Sequence, residues 1–354
     1  MDQSKRKRSF VPLLVITSYL FFGCYTIREG TTYLGYLGRA VPLESLLETG
    51  SDSKEREENR RFVELVHDIR RFTTEELGLN MTKNYTRYVS MDRDYLAAVV
   101  SASAADSFNR YEWRFPVVGR MPYKGFFKIK NAHNEREKLE KKGLDVWIRG
   151  VSAFSTLGWF KDPLFTWMRD YPPHRLADLI IHESVHATVF LKGQVQFNEE
   201  LAEFIGSEGA RLYMENRFGI DSDEYQAMIF SDEDNRHFVV FVRELIAELQ
   251  MLYESSTGGE EILREKERII KAAQQRFEDE YESRFTGENY RGFSSLQINN
   301  AYLELYRLYY AEDDYIADLF EKSGKTLPEF ITAAKSMPKR GPSGRERLVI
   351  ALEI

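Results

Sequence analysis

Two histidines four residues apart, with a glutamate beside the first, are the residues of this chain best placed to do chemistry: His182-Glu183-Ser184-Val185-His186. On an α-helix, positions i and i+4 share a face, so both imidazoles can turn toward one cation while Glu183 stands next to them. Downstream, Asn198-Glu199-Glu200-Leu201-Ala202-Glu203 offers carboxylates. Glu199 and Glu203 lie one helical turn apart and can face the histidines, with Glu200 between them. Two neutral imidazoles and one carboxylate leave a fourth position of a zinc ion open for water, the pattern of a catalytic rather than a structural site. Glu183 is then placed to take a proton from the attacking water and return it to a leaving nitrogen, and the reaction class is amide hydrolysis.

The elements that must position these groups can be read locally. Pro172-Pro173 suits a helix start, and Leu176, Leu179, Ile180, Val185, Val189 and Phe190 follow at helical offsets. Lys192-Gly193 predicts the stop. A second helix is predicted to begin near Asn198, acting as its capping residue, and to run through Leu201, Phe204, Ile205, Leu212 and Tyr213. The product is a two-helix hairpin on which the candidate ligands converge.

His182-Glu183-x-x-His186 followed by Asn198-Glu199-x-x-Ala202-Glu203 resembles the thermolysin-type arrangement of gluzincins, with a shorter gap between the second histidine and the downstream glutamate. The resemblance implies that Glu199 is the third zinc ligand and that Glu203 orients a ligand histidine. Over most of its length the chain is also similar to a family of bacterial lipoproteins described as zinc aminopeptidases. Besides the hairpin, the segments that carry this are Phe115-Pro116-Val117-Val118-Gly119, Pro122-Tyr123-Lys124-Gly125, Ser155-Thr156-Leu157-Gly158-Trp159-Phe160 and Asn299-Asn300-Ala301. That similarity implies an α+β fold, predominantly helical, with a zincin-like catalytic core, a small β-sheet and a helical C-terminal part. It also implies Zn2+ as cofactor and a peptide substrate, and it alone favours an aminopeptidase over an endopeptidase.

A chain of 354 residues that is 43 % hydrophobic can bury a sizeable core, and one catalytic domain with a helical extension is expected. The formal net charge is -7, and residues 1–23 carry four basic side chains against one acidic, so the remainder is more acidic still. Such a body does not suit nucleic acid. Residues 1–23 read as an export signal, basic at 5–8 and apolar over 10–22, too short for a comfortable membrane span. Cys24 is the single cysteine, which excludes an intramolecular disulfide. Its place after Leu20-Phe21-Phe22-Gly23 resembles a relaxed lipobox, which implies a lipid-anchored protein of the bacterial envelope, facing outside the cytoplasm; the alternative is an uncleaved signal anchor. Residues 24–50 are expected to form a tether that also packs through Leu43, Leu46 and Leu47, 51–220 the catalytic core, and 221–354 a helical region packed on it.

Within that plan, 53–77 reads as an amphipathic helix, 85–89, 95–102 and 144–149 as strands, 134–142 as a helix, and 114–128 as turns around Pro116, Gly119, Pro122 and Gly125. Residues 151–160 stand in chain order where thermolysin-like enzymes place an edge strand that pairs with the peptide backbone, although an ordinary core strand fits equally. Long charged helices are expected over 221–255 and 260–285. Tyr306 is the candidate donor to the transition-state oxyanion. The tail from 341 onward carries no signal, and His67, His133, His174 and His237 read as surface or capping residues. Two other classes use the same residues: a zinc hydrolase of a non-peptide amide, and a non-catalytic lipoprotein scaffold whose helices bind a partner. A scaffold has no use for Glu183.

Overall fold

The computed structural model describes residues 29–80, 83–115, 119–151, 162–255, 258–287, 289–309 and 315–354. The expected export signal, Cys24 and the expected peptide-pairing strand at 152–160 lie outside the described residues. No helix among the described residues is long and apolar enough to cross a membrane.

The fold is α+β and predominantly helical. A helix at 29–38 (α1) leads to the short strand β1 (Val41–Pro42), a 3-10 turn (Leu43–Glu48) and α2 (Ser53–Glu75). Asp52 caps α2 by accepting from the Glu55 N–H, and the stripe Phe62, Val66, Ile69 and Phe72 is buried as its period requires. Leu43 and Leu46 pack inward, whereas Leu47 stays exposed. α1 is held on the body: Glu29 accepts from the Phe127 N–H at 2.8 Å, and Tyr33 stacks on Phe127.

Strands β2 (Arg87–Val89), β3 (Ala97–Ala104), β4 (Trp113–Phe115), β5 (Gly119–Met121), β6 (Tyr123–Phe126), β7 (Leu144–Val151) and β8 (Leu164–Phe165) form three small sheets, ordered β1-β2-β8, β6-β3-β7 and β4-β5. The stretch expected as turns is therefore largely extended. Its strands are only three or four residues long, too short to show alternation, and Gly119, at φ 78°, begins β5 opposite Phe115. Helix α3 (Ile129–Glu140) begins earlier than expected and leads through Gly143 into β7. Among the described residues β7 pairs with no strand but β3, and its Val146 carbonyl accepts from the Asn299 side chain at 3.1 Å.

Helices α4 (Pro173–Thr188) and α5 (Val195–Phe218) form the hairpin, followed by α6 (Asp223–Glu254), α7 (Glu260–Arg284), α8 (Asn300–Tyr309), α9 (Tyr315–Ser323), α10 (Leu327–Ser336) and α11 (Gly344–Leu352). The tail read as uninformative is thus a helix, capped by the reciprocal Ser343–Glu346 box, with Leu348 and Leu352 buried. One core cluster joins α2, α4, α5 and the last three helices; a second, rich in aromatics, joins α6, α7 and α8. The second is docked on the β3–β7 sheet by polar groups. Lys266 donates to Asp145 and to the Ala105 carbonyl, both at 2.8 Å, and Asn300 donates its N–H to Asp145 and its amide to the Ala104 carbonyl.

Candidate metal centre

The turn that closes the hairpin comes earlier in the chain than the sequence pattern suggests. α4 ends at Thr188, and Val189 is already extended, before Lys192 and Gly193. Asn198 does not cap α5, which starts at Val195. It is buried and clamps the turn instead, accepting from the Leu191 N–H at 3.0 Å and donating to the Leu191 carbonyl at 2.9 Å. Both backbone groups of a buried residue are satisfied by one side chain, which fixes where the first turn of α5 meets the last turn of α4. Farther along, Gly206 and Gly209 let the helices close. A Cβ on Gly209 would stand 3.1 Å from Ile181 and Leu77, and one on Gly206 would stand 2.6 Å from Asp178 Oδ1.

This packing brings His182, His186 and Glu199 together. The two Nε2 atoms are 3.2 Å apart, Glu199 Oε2 is 3.7 Å from His182 Nε2, and Glu199 Oε1 is 3.5 Å from His186 Nε2. The rings meet at 79°, so both nitrogens look into one space rather than stacking. Ligands on a tetrahedral zinc ion, with bonds of about 2.0–2.1 Å, stand roughly 3.3 Å from one another. The three separations bracket that value, so the donor set fits such an ion.

Glu183 is buried one residue beyond His182, and its Oε2 has no hydrogen-bond partner among the described residues. His186 is buried as well, and its Nδ1 is likewise unpartnered there. Negative charge surrounds the pair of rings. Burial opposes protonation of His182, but Glu199, Glu183 and Asp178 raise its pKa above the ordinary value. Glu199 is held down to about 2, first by its contact with His182 and then by that with His186.

The remaining expected site residues fall in different places. Glu203 is exposed on α5, and its charge and that of His182 act on each other. Tyr306 sits on α8 in the second core cluster, its ring 5.6 Å from Phe238 and its hydroxyl 3.3 Å from that of Tyr302. His67 pairs with Glu44, and His237 meets the Arg284 carbonyl at the end of α7.

Several groups around the centre were not singled out from the sequence. Asp178, one turn before His182, is raised to about 6 by burial and by Glu203 and Asp232, with His182 opposing. Its i−4 spacing was readable; its partner Gly206 was not. Within reach of the Glu183 charge, the Tyr33 hydroxyl donates to Asp162 at 3.3 Å, and the Tyr85 N–H donates to the Asp162 carbonyl. Tyr85 is buried with φ 59°, a left-handed backbone that costs an aromatic residue about 1–3 kcal/mol and persists only where packing imposes it. Burial first, and then the charge of Glu183, raise its phenol well above the usual range. Tyr33, Tyr85 and Asp162 come from three separate segments, and no local pattern links them.

A family model described as "Putative aminopeptidase" matches residues 24–349. No curated protein and no solved structure matches the chain.

Proposed function

We propose that this chain, which belongs to that aminopeptidase family, is a zinc-dependent peptidase that removes residues from the free amino end of peptides. The observation that carries the reading is the convergence of His182, His186 and Glu199 at mutual separations of 3.2–3.7 Å beside the buried carboxylate of Glu183. His182 and His186 offer Nε2, and Glu199 offers its carboxylate, to one zinc ion. When bound, zinc supplies Lewis acidity toward a carbonyl and brings the pKa of water toward neutrality.

The chain's own residues supply the rest. Glu183 accepts the proton of the attacking water at a carboxylate that no donor among the described residues occupies, and returns it to the leaving amine. The buried setting of Glu183 keeps bulk water from competing for that proton. Lipidation at Cys24 holds the enzyme at the outer side of a bacterial membrane, so its substrates are peptides of the envelope.

The test uses zinc-loaded protein and short peptides with free or acetylated amino termini. Release of the first residue from the free peptides only, lost in Glu183→Gln, is the expected result. Cleavage of acetylated peptides at internal bonds would replace the aminopeptidase by an endopeptidase. No cleavage of either, with zinc bound, would favour a non-peptide amide as substrate.

A further inference from the structure

Glu199 is the most exposed of the three candidate ligands and stands one turn into α5, so its reach toward the histidines depends on where that first turn lies. The turn has no cap of its own. Gln194, which precedes α5, makes no capping hydrogen bond, and an uncapped helix start keeps unpaired N–H groups and frays. Asn198 ties this turn to Leu191, and the residues on either side of that clamp are held from the far end of the chain.

α11 meets the turn at three points. The Gly344 N–H donates to the Gln194 side chain at 3.1 Å. Gly344 is buried against the ring of Phe197, so closely that a Cβ there would stand 2.4 Å from two ring carbons, and Phe197 is itself buried and cannot step aside. Arg345 forks onto the Glu200 carboxylate, Nε at 3.2 Å from Oε2 and Nη2 at 2.9 Å from Oε1, with its guanidinium 4.6 Å over the Tyr315 ring. Such a two-point contact fixes orientation as well as distance. It also commits Glu200 to a cation on another helix, so that of the two adjacent carboxylates Glu199 is the one left to face the histidines. α11 is a firm base for this, since Arg347 donates to the carbonyls of Gly341 and Pro342, and Leu348 and Leu352 are buried in the main core.

On the ligand set proposed above, we propose that the C-terminal helix completes the metal centre: Arg345 and Gly344 are positioning residues that hold the turn of α5 from which Glu199 reaches the ion.

The experiment is competition for zinc against a coloured chelator weak enough to resolve Glu199→Ala. It uses the full chain as wild type, Arg345→Gln, Gly344→Ala, Glu199→Ala and the double variant Glu199→Ala with Arg345→Gln, each first shown by urea unfolding to be folded under the assay conditions. Arg345→Gln and Gly344→Ala are each expected to weaken zinc binding by about 10-fold, the low end for a group that orients a ligand. With cobalt in place of zinc, the visible absorption of Arg345→Gln should change, because the carboxylate ligand is displaced. In the Glu199→Ala background, Arg345→Gln should cost no more than about twofold, since the residue through which it acts is gone. A merely structural role would cost the same in both backgrounds. Should Gly344→Ala fail to fold, Arg345→Gln decides alone. Wild-type affinity in Arg345→Gln, or an undiminished loss in the Glu199→Ala background, overturns the inference while leaving the metal reading intact. Wild-type protein that binds no zinc, or Glu199→Ala that binds it fully, overturns the ligand set and the inference with it.

Discussion

Glu183 and the two histidines differ in what they must exchange with solvent, and their settings differ accordingly. Glu183 is buried and its Oε2 meets no donor among the described residues, so Glu183→Gln should lower kcat by about 10²–10⁴-fold while zinc content stays at the wild-type level; rates and metal analysis on the same sample check both halves. A proton and a metal compete for Nε2 of His182. Because the folded protein raises that pKa, zinc affinity should already weaken as pH falls through the raised value, above the pH at which an ordinary histidine would protonate. In the metal-free protein the same shift acts with opposite sign: His182 contributes stability that is fully present below its ordinary value and lost as pH rises through the raised one. The depressed carboxyl of Glu199 contributes above its ordinary value, and that contribution is lost as pH falls toward about 2. Chelator titrations at neutral and mildly acidic pH read the zinc affinity, and urea midpoints carried on into the acid range read the two stability contributions; a zinc affinity independent of pH would contradict the first. At this scale the pairing of His182 with His186 was legible because i, i+4 spacing is itself a geometry, and Glu199 was added by a resemblance. Tyr33, Tyr85 and Asp162 were not, because only long-range packing places them near Glu183.

Among the elements, the α4–α5 hairpin does the positioning, and its tightest constraint is the Asn198 clamp. Asn198→Ala leaves the N–H of buried Leu191 without its partner, while the Leu191 carbonyl keeps the Gln194 N–H, at a cost of about 1–3 kcal/mol. Because Glu199 follows immediately, zinc should bind more weakly as well. An unchanged urea midpoint would contradict the clamp. Helix existence and the apolar faces of α2, α4 and α6 were readable from periodicity. The start of α5 was not, since asparagine serves equally as a helix cap and as a turn clamp, and burial decides between them. Strands β4 to β6 were hidden for a related reason, their prolines and glycines marking turns on either side of segments only three or four residues long.

Across the whole molecule, the α4–α5 hairpin and the β3–β7 sheet are separate layers joined by helices, and the second aromatic core is tied to the sheet through Asp145, Lys266 and Asn300. Lys266 and Asp145 are both largely buried, so removing one leaves the other's charge without its partner. Asp145→Ala should therefore destabilise the protein by about 3–5 kcal/mol, read from urea unfolding followed by far-UV circular dichroism. A cost below about 1 kcal/mol would mean that the pair is effectively solvated. The sequence showed long helices with solvated outer faces and a predominantly helical α+β fold. It did not show this junction, because the partners lie more than a hundred residues apart and each alone is an ordinary polar residue.

A metal centre at His182, His186 and Glu199 is tested most directly by the metal content of the purified protein beside that of Glu199→Ala. One zinc per wild-type chain after reconstitution, with loss or sharp weakening in the variant, is the expected result. Wild-type protein that holds no metal after zinc reconstitution would contradict it, and zinc held fully by Glu199→Ala would remove Glu199 from the ligand set.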